Sequence, residues 1–310
     1  MVYMNNYKKS FLFSVLLMTM NFSISNEQTN GRDDVIDEAF VTFATPNYFG
    51  LLEVLLDSVH YFSKRPIVVY GINTDLPFNT NKYPRLIKRR IDVDGEYSQL
   101  PLIYFQKLNI ILKSNINYGI YIEADDIVNY GIDSLFARCK DVDSYPLYPI
   151  HPRDPNNQSS IMHLLGVTKK SMPYVHGHII FSQKCMPFLR ECYDFCCKYK
   201  GSIGANWDET VMNVMLWKHK VTDHYVPIFD PYFTSITNYI SGDDKFKDPY
   251  FQPIANYISE YKKFNIDMKN IPIEYHMFHG CKNTNEARHV FELLKNNIGR
   301  TLYISGVMPK

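Results

Sequence analysis

Three carboxylates fall within four residues, Glu123, Asp125 and Asp126, directly after the apolar run Tyr118-Gly119-Ile120-Tyr121-Ile122. At the end of an extended strand, Glu123 and Asp125 lie two apart and point the same way. Two hard oxygen ligands side by side suit a hard divalent cation. Such a cation can bridge a diphosphate and offset charge on a leaving group. Without one, like charges this close repel and raise each other's pKa. The same residues also fit an acidic turn in which Asp125 or Asp126 caps the next segment.

Histidines and a second acidic start add to the inventory. His176 and His178 alternate onto one face of an apolar strand, Val175 to Phe181. Paired there they can ligate a metal, or sit as hydrogen-bonded core histidines. Asp208 opens an apolar helical run and reads as a helix-start carboxylate.

The elements that position these groups alternate along the chain. Residues 39–45 read as a strand. Residues 48–62 place Leu51, Leu52, Val54, Leu55, Leu56 and Val59 at helical spacing. Pro66 ends that helix, and strands are predicted over 67–72 and 86–93. A helix over 102–112 and a short buried strand over 119–122 follow. Strand and helix in alternation predict an α/β fold with a parallel sheet flanked by helices. Ligands in such folds sit beyond the carboxyl ends of the strands. The second half is less regular: a strand over 175–181, helices over 187–199 and 208–218, a polar aromatic stretch over 243–270, a strand-like run over 273–278 and a helix over 285–295. No internal repeat or low-complexity linker divides the chain, so one domain spans 36–300.

The stretch 121–136, YIEADDIVNYGIDSLF, resembles the DxD region of family 8 glycosyltransferases, the glycogenin and lipopolysaccharide galactosyltransferase type. Ala124, Asp125, Ile127-Val128 and Asp133-Ser134-Leu135-Phe136 keep that pattern, while Glu123 replaces its first Asp. The resemblance implies a GT-A (Rossmann-like) fold with a mixed, mostly parallel sheet. It also implies transfer of a sugar, with retention, from a nucleotide-sugar, UDP-linked by analogy, and a Mn2+ or Mg2+ ion held by Glu123, Asp125 and a C-terminal histidine. His276-Met277-Phe278-His279-Gly280-Cys281-Lys282 resembles the segment supplying that histidine. His279 is the favoured ligand, with His276 the alternative, and Lys282 is placed at the diphosphate.

Further segments fall in the same order. Thr45 and Tyr48, in the first strand-to-helix turn, are placed at the base and ribose, with Tyr48 as the stacking candidate. Lys107 stands where the family more often has Arg, near the diphosphate and donor sugar; a lysine is a point charge rather than a bidentate fork. His176 and His178 match the strand that contacts sugar hydroxyls, although its Asn is absent. Asp208, in Trp207-Asp208-Glu209-Thr210-Val211-Met212-Asn213, is placed to accept hydrogen bonds from the donor sugar. Lys107 and Asp208 are the catalytic candidates.

The net charge of +1, from 33 basic and 32 acidic residues, supplies no field to recruit nucleic acid. The implied partners are a nucleotide-sugar donor and a glycan, protein or lipid acceptor. Lys8 and Lys9 precede an apolar run from Phe11 to Met20 and small residues near Ser23. Residues 1–25 therefore read as a secretory signal, with an uncleaved anchor or a short surface helix as alternatives. The run is shorter than the ~20 apolar residues a spanning helix needs. In the secretory pathway, one or two disulfides are expected among the six cysteines, and Asn157-Gln158-Ser159 is a glycosylation acceptor.

Two rival readings remain. One is a sugar- or nucleotide-binding protein of the same fold whose catalytic site has decayed, which Glu123, Lys107 and the missing Asn favour. The other is a nucleotidyl- or phosphotransferase, which would want a Gly-rich phosphate loop that this chain lacks.

Overall fold

The computed structural model describes residues 34–151, 157–204, 207–226, 263–264, 276–281 and 283–298. The expected leader, the stretch over 243–270 and Lys282 lie outside the described residues. Helix and strand alternate through the first half: β1 Ile36–Ala44, α1 Phe49–Phe62, β2 Ile67–Ile72, β3 Leu86–Ile91, α2 Gln106–Lys113 and β4 Ile116–Tyr121. A two-residue strand β5, Ile127–Val128, and helix α3, Leu135–Lys140, follow. The second half contributes β6 Tyr148–Pro149, α4 Ser159–Leu164, β7 Ile179–Ser182, α5 Met186–Tyr199, α6 Asp208–Lys218, β8 Tyr225–Val226, β9 Met277–Phe278 and α7 Thr284–Leu293.

The main sheet has the order β3-β2-β1-β4-β7. Its first four strands run parallel, and β7 pairs antiparallel with β4. The sheet is therefore mixed, with one antiparallel edge strand on a parallel body. β2 is buried at every position, as expected for a strand covered on both faces. Its residues Ile67, Val68 and Val69 match the uninterrupted β-branched run in the sequence. Helix α1 turns Leu52, Leu55, Leu56 and Val59 into the core, each side chain contributing about 1.5–3 kcal/mol by leaving water. Helix α6 buries Val211 to Trp217 without interruption, so it is an interior helix rather than a surface one.

The strand order creates the site. From β1 the chain moves outward through β2 to β3, then returns to place β4 on the other side of β1. This reversal is a topological switch point, where the loops leaving two neighbouring strands diverge and open a crevice. Val41 lies opposite Tyr121, and Ile122 N–H continues the ladder to Val41 C=O at 3.1 Å. The turn after β1 and the acidic turn after β4 therefore emerge side by side. Because β7 is antiparallel, with Ile179 opposite Tyr121, the segment leading into it also arrives at this end of the sheet.

All six cysteines are free thiols, five of them buried, so the expected disulfides do not form. Burial pushes the Cys139 thiol up to about 12 and Cys185 up to about 11. The Asp133-Ser134-Leu135-Phe136 segment serves packing. Phe136 meets Phe40 edge-on at 5.0 Å, and Asp133 accepts hydrogen bonds from the Ser63 hydroxyl and, at 3.1 Å, from the Lys64 N–H. No helix among the described residues is long and apolar enough to cross a membrane.

Candidate functional site

The acidic turn is closed by its third member. Asp126 Oδ2 accepts from the Glu123 N–H at 2.6 Å, while the Asp126 N–H donates to Glu123 C=O at 3.1 Å. Asp126 is buried, and its carboxylate also meets His178 Nε2 at 2.7 Å and His279 Nδ1 at 3.0 Å. Asp126 thus bonds back to the start of its own turn rather than capping the segment that follows. Asp126 folds the loop, and that fold presents Glu123 and Asp125 together.

His279 reaches the acids through a small sheet. β9 pairs antiparallel with β5, Phe278 opposite Ile127 and Met277 opposite Val128, so the next residue along arrives beside Asp126. His279 Nδ1 is 3.4 Å from Glu123 Oε2 and 4.0 Å from Asp125 Oδ1. Gly280, with φ +79°, turns the chain away in a left-handed conformation that other residues resist. Donor atoms of Glu123, Asp125 and His279 all lie within 4.8 Å of one another. Of the two histidines left open by the sequence, His279 stands at the acids. His276 is buried, and its C=O accepts from the Asn129 N–H at 2.8 Å.

A lysine balances part of this charge. Lys107, in the first turn of α2 and only 4% exposed, holds Glu123 Oε1 at 3.0 Å and Asp208 Oδ2 at 3.3 Å. Its ammonium lies 5.1 Å from the Tyr121 ring centre. Gly177 makes room for it, since a Cβ there would fall 2.4 Å from Lys107 Nζ. Burial works against the Lys107 charge, but Asp208 and Glu123 outweigh it and raise its pKa well above the ordinary value.

The acids split electrostatically. Burial would raise Glu123, but Lys107 foremost, with His279 and His178, brings it down to about 2. No lysine among the described residues bears on Asp125; burial, with Glu123 and Asp126 pushing the same way against His279, lifts it to about 7. Asp126 is held far below the carboxylate range, because the His178 and His279 contacts overcome its burial. Burial raises Asp208 despite Lys107, and lifts Glu209 to about 7. His176 is driven well below its ordinary value by burial and then by His178, His279, His151 and Lys107.

A cleft of about 480 Å³ opens at the switch point. Thr45, Tyr48, Lys107, Glu123, Asp125 and His279 all line it, together with Tyr104. Tyr48 is 46% exposed and presents its ring at the mouth. His176, His178 and Asp208 are buried and are not among its lining residues. His178 orients Asp126, and Asp208 orients Lys107. Trp207, rather than Asp208, occupies the cap position of α6, with no side-chain cap bond.

For two residues named in the sequence, the connections emerge only in the structure. Asp126 is the hub, but a third acid in a turn carries no mark of its connections. Asn213 Nδ2 donates to Val175 C=O and Glu209 C=O, each at 2.9 Å, and its Oδ1 accepts from the Val175 N–H at 2.8 Å. It thus ties the His176 segment to the start of α6. Its signal was its place as a polar residue inside an otherwise apolar helix.

This mixed, mostly parallel sheet flanked by helices is of the GT-A type. Among solved structures the chain is similar to the galactosyltransferase LgtC. Its complex with donor and acceptor sugar analogues is 17% identical, over 83% of this chain and 95% of that one, with a TM-score of 0.49. An active-site mutant of LgtC is 16% identical, over 84% and 95%, with a TM-score of 0.51. The likeness is one of fold, and at that level it agrees with the resemblance to family 8 enzymes. No protein-family model matches the chain, and no curated protein sequence matches it significantly.

Proposed function

We propose that this protein is a metal-dependent glycosyltransferase that moves a hexose from a UDP-linked donor to an acceptor hydroxyl, with retention of configuration. The observation that carries the reading is the convergence of Glu123, Asp125 and His279 in a cleft whose opposite lip presents Thr45 and Tyr48.

The donor set fits a divalent cation of the Mn2+ or Mg2+ kind. Glu123, Asp208 and Glu209 act on the ammonium of Lys107, while Asp125 and Asp126 have histidines beside them. Burial, with Glu123 and Asp126 beside it, pushes Asp125 towards protonation. Glu123, Asp125 and His279 would hold the ion; when bound, it supplies charge neutralisation for a diphosphate. Tyr48 offers its ring to the base and Thr45 its hydroxyl to the nucleoside. Lys107 keeps Glu123 ionised, with Asp208 steadying the ammonium, so its contribution to the donor is a positive field at the cleft wall. Lys282 would add a cation at the diphosphate. The acceptor hydroxyl enters from the less regular second half. Residues 1–25 would direct the chain into the secretory pathway.

The decayed-site alternative draws support from Lys107, whose ammonium already serves two carboxylates. Hydrolysis of UDP-galactose and UDP-glucose by the purified chain, with and without Mn2+, separates the two. Turnover that requires Mn2+ and vanishes in Asp125→Ala is the expected result. Metal-dependent UDP binding without turnover would select the decayed site, and no UDP binding at all would overturn both.

A further inference from the structure

We infer that the chain carries a second metal site, built from His151, His176 and Glu209 and suited to a borderline divalent ion such as Zn2+. It involves none of the residues assigned to the nucleotide-sugar metal and stands independently of the proposed activity.

Three separate elements deliver the donors. His176 precedes β7, and its N–H donates to Pro149 C=O at 2.8 Å. His151 lies on the neighbouring antiparallel segment, where Ile150 faces Val175 and the His151 N–H donates to Tyr174 C=O at 2.9 Å. This pairing stacks the two imidazoles with ring centres 5.3 Å apart and planes 11° apart. Glu209 comes from the first turn of α6, held by the Asn213 bridge between that turn and Val175. One donor atom from each of the three lies within 4.8 Å of the others. Ligand bonds of about 2.0–2.2 Å require closer donors than this, so the side chains draw in around the ion.

Two further observations point to a ligand. His176 is 7% exposed, and its Nδ1 is buried with no hydrogen-bond partner, a costly arrangement unless something accepts its lone pair. The chemistry of the set also differs from that of the first site. Two imidazoles and one carboxylate are the donors of open zinc sites, whereas Glu123, Asp125 and His279 are oxygen-rich and prefer a harder ion. The Tyr174 hydroxyl meets Thr210 Oγ1 at 3.3 Å, next along the helix from Glu209. Bound metal would staple the 149–151 segment, the 174–176 segment and α6 together.

The test is titration of the chelator-stripped full chain with Co2+, read by visible absorption and by calorimetric stoichiometry. The expected result is two equivalents for the wild type and one for His151→Ala and for Glu209→Gln, with the remaining equivalent competed by Mn2+. Asp125→Ala should lose the other equivalent and keep the one that Zn2+ displaces most readily. His151 is only partly buried, so its replacement should leave the metal-free circular dichroism unchanged. A Co2+ stoichiometry in both His151→Ala and Glu209→Gln equal to that of the wild type would overturn the inference, whereas a single wild-type equivalent that both variants lose would uphold it and count against the first site instead.

Discussion

Asp126 Oδ1 and His279 Nδ1 meet at 3.0 Å across 153 residues of sequence. On one side of that contact is the turn leaving β4; on the other is the chain leaving β9. The small antiparallel pair between β5 and β9 fixes the meeting, because a one-residue slip in register would turn the histidine to the other face. The contact makes Asp126 a positioning residue for Glu123, Asp125 and His279, although its donor atom also lies within 4.8 Å of those of His178 and His279.

Replacing Asp126 should accordingly damage metal binding without removing a ligand. In Asp126→Asn the fold should persist, and Mn2+ affinity measured by calorimetry should fall about 10–100-fold. Asp126→Ala leaves buried groups without their acceptor and should cost about 3–5 kcal/mol in chemical denaturation. Unchanged Mn2+ affinity in the Asn variant would place the metal elsewhere.

Gly177 and Lys107 form a matched pair. Gly177→Ala should displace the ammonium from Glu123, because the added methyl cannot share its space. Donor turnover should drop by at least an order of magnitude, as removal of a charge-stabilising group does. A smaller side chain in place of Lys107 relieves the clash, so Lys107→Met with Gly177→Ala should be no worse than Lys107→Met alone. Wild-type activity in Gly177→Ala would show that the lysine need not sit there.

Metal affinity should depend on pH through Asp125. A carboxyl lifted to about 7 must lose its proton to bind a cation, so Mn2+ affinity should rise with pH up to about 7. Below that it should fall by up to about tenfold per pH unit. Calorimetry between pH 6 and 8 measures it, and a flat profile would remove Asp125 from the ligand set.

A clamp far from the cleft should govern acid stability. Asp57 on α1 pairs with Arg288 on α7 and accepts from the Tyr83 hydroxyl at 2.8 Å. Burial alone would raise its pKa, but the hydrogen bonds of Arg288 and Tyr83 and the charges of Arg288 and Lys82 lower it. A depressed folded-state pKa means the stabilisation is present above the unfolded value of about 3.9 and is lost as pH falls through the folded one. Asp57→Asn should therefore lower the melting temperature at pH 7 and converge with wild type once the pH has fallen through the lowered folded-state pKa. A constant difference across that range would show that the pair contributes no charge-linked stability.

The alternation of elements in the first half was legible because each strand and helix has an unmixed pattern. β2 over 67–72 and α6 over 208–218 have their expected bounds. Helix 102–112 instead opens as a 3-10 turn over Leu102–Phe105 before α2. The strand expected over 175–181 begins as a bridge at Val175 and becomes a ladder only at Ile179. His176 and Gly177 there serve the site rather than the sheet.

Sequence alone determined the sheet's parallel body, the end of it at which the acidic turn stands, and the pairing of Glu123 with Asp125, because these follow from local periodicity and a two-residue offset. Tertiary structure decided that His279 rather than His276 joins them, that Asp126 is the hub, that Lys107 is shared with Asp208, and that His151 meets His176 and Glu209. Each of these depends on register between segments distant along the chain, and a one-residue change in register, invisible to any local pattern, would have chosen different partners.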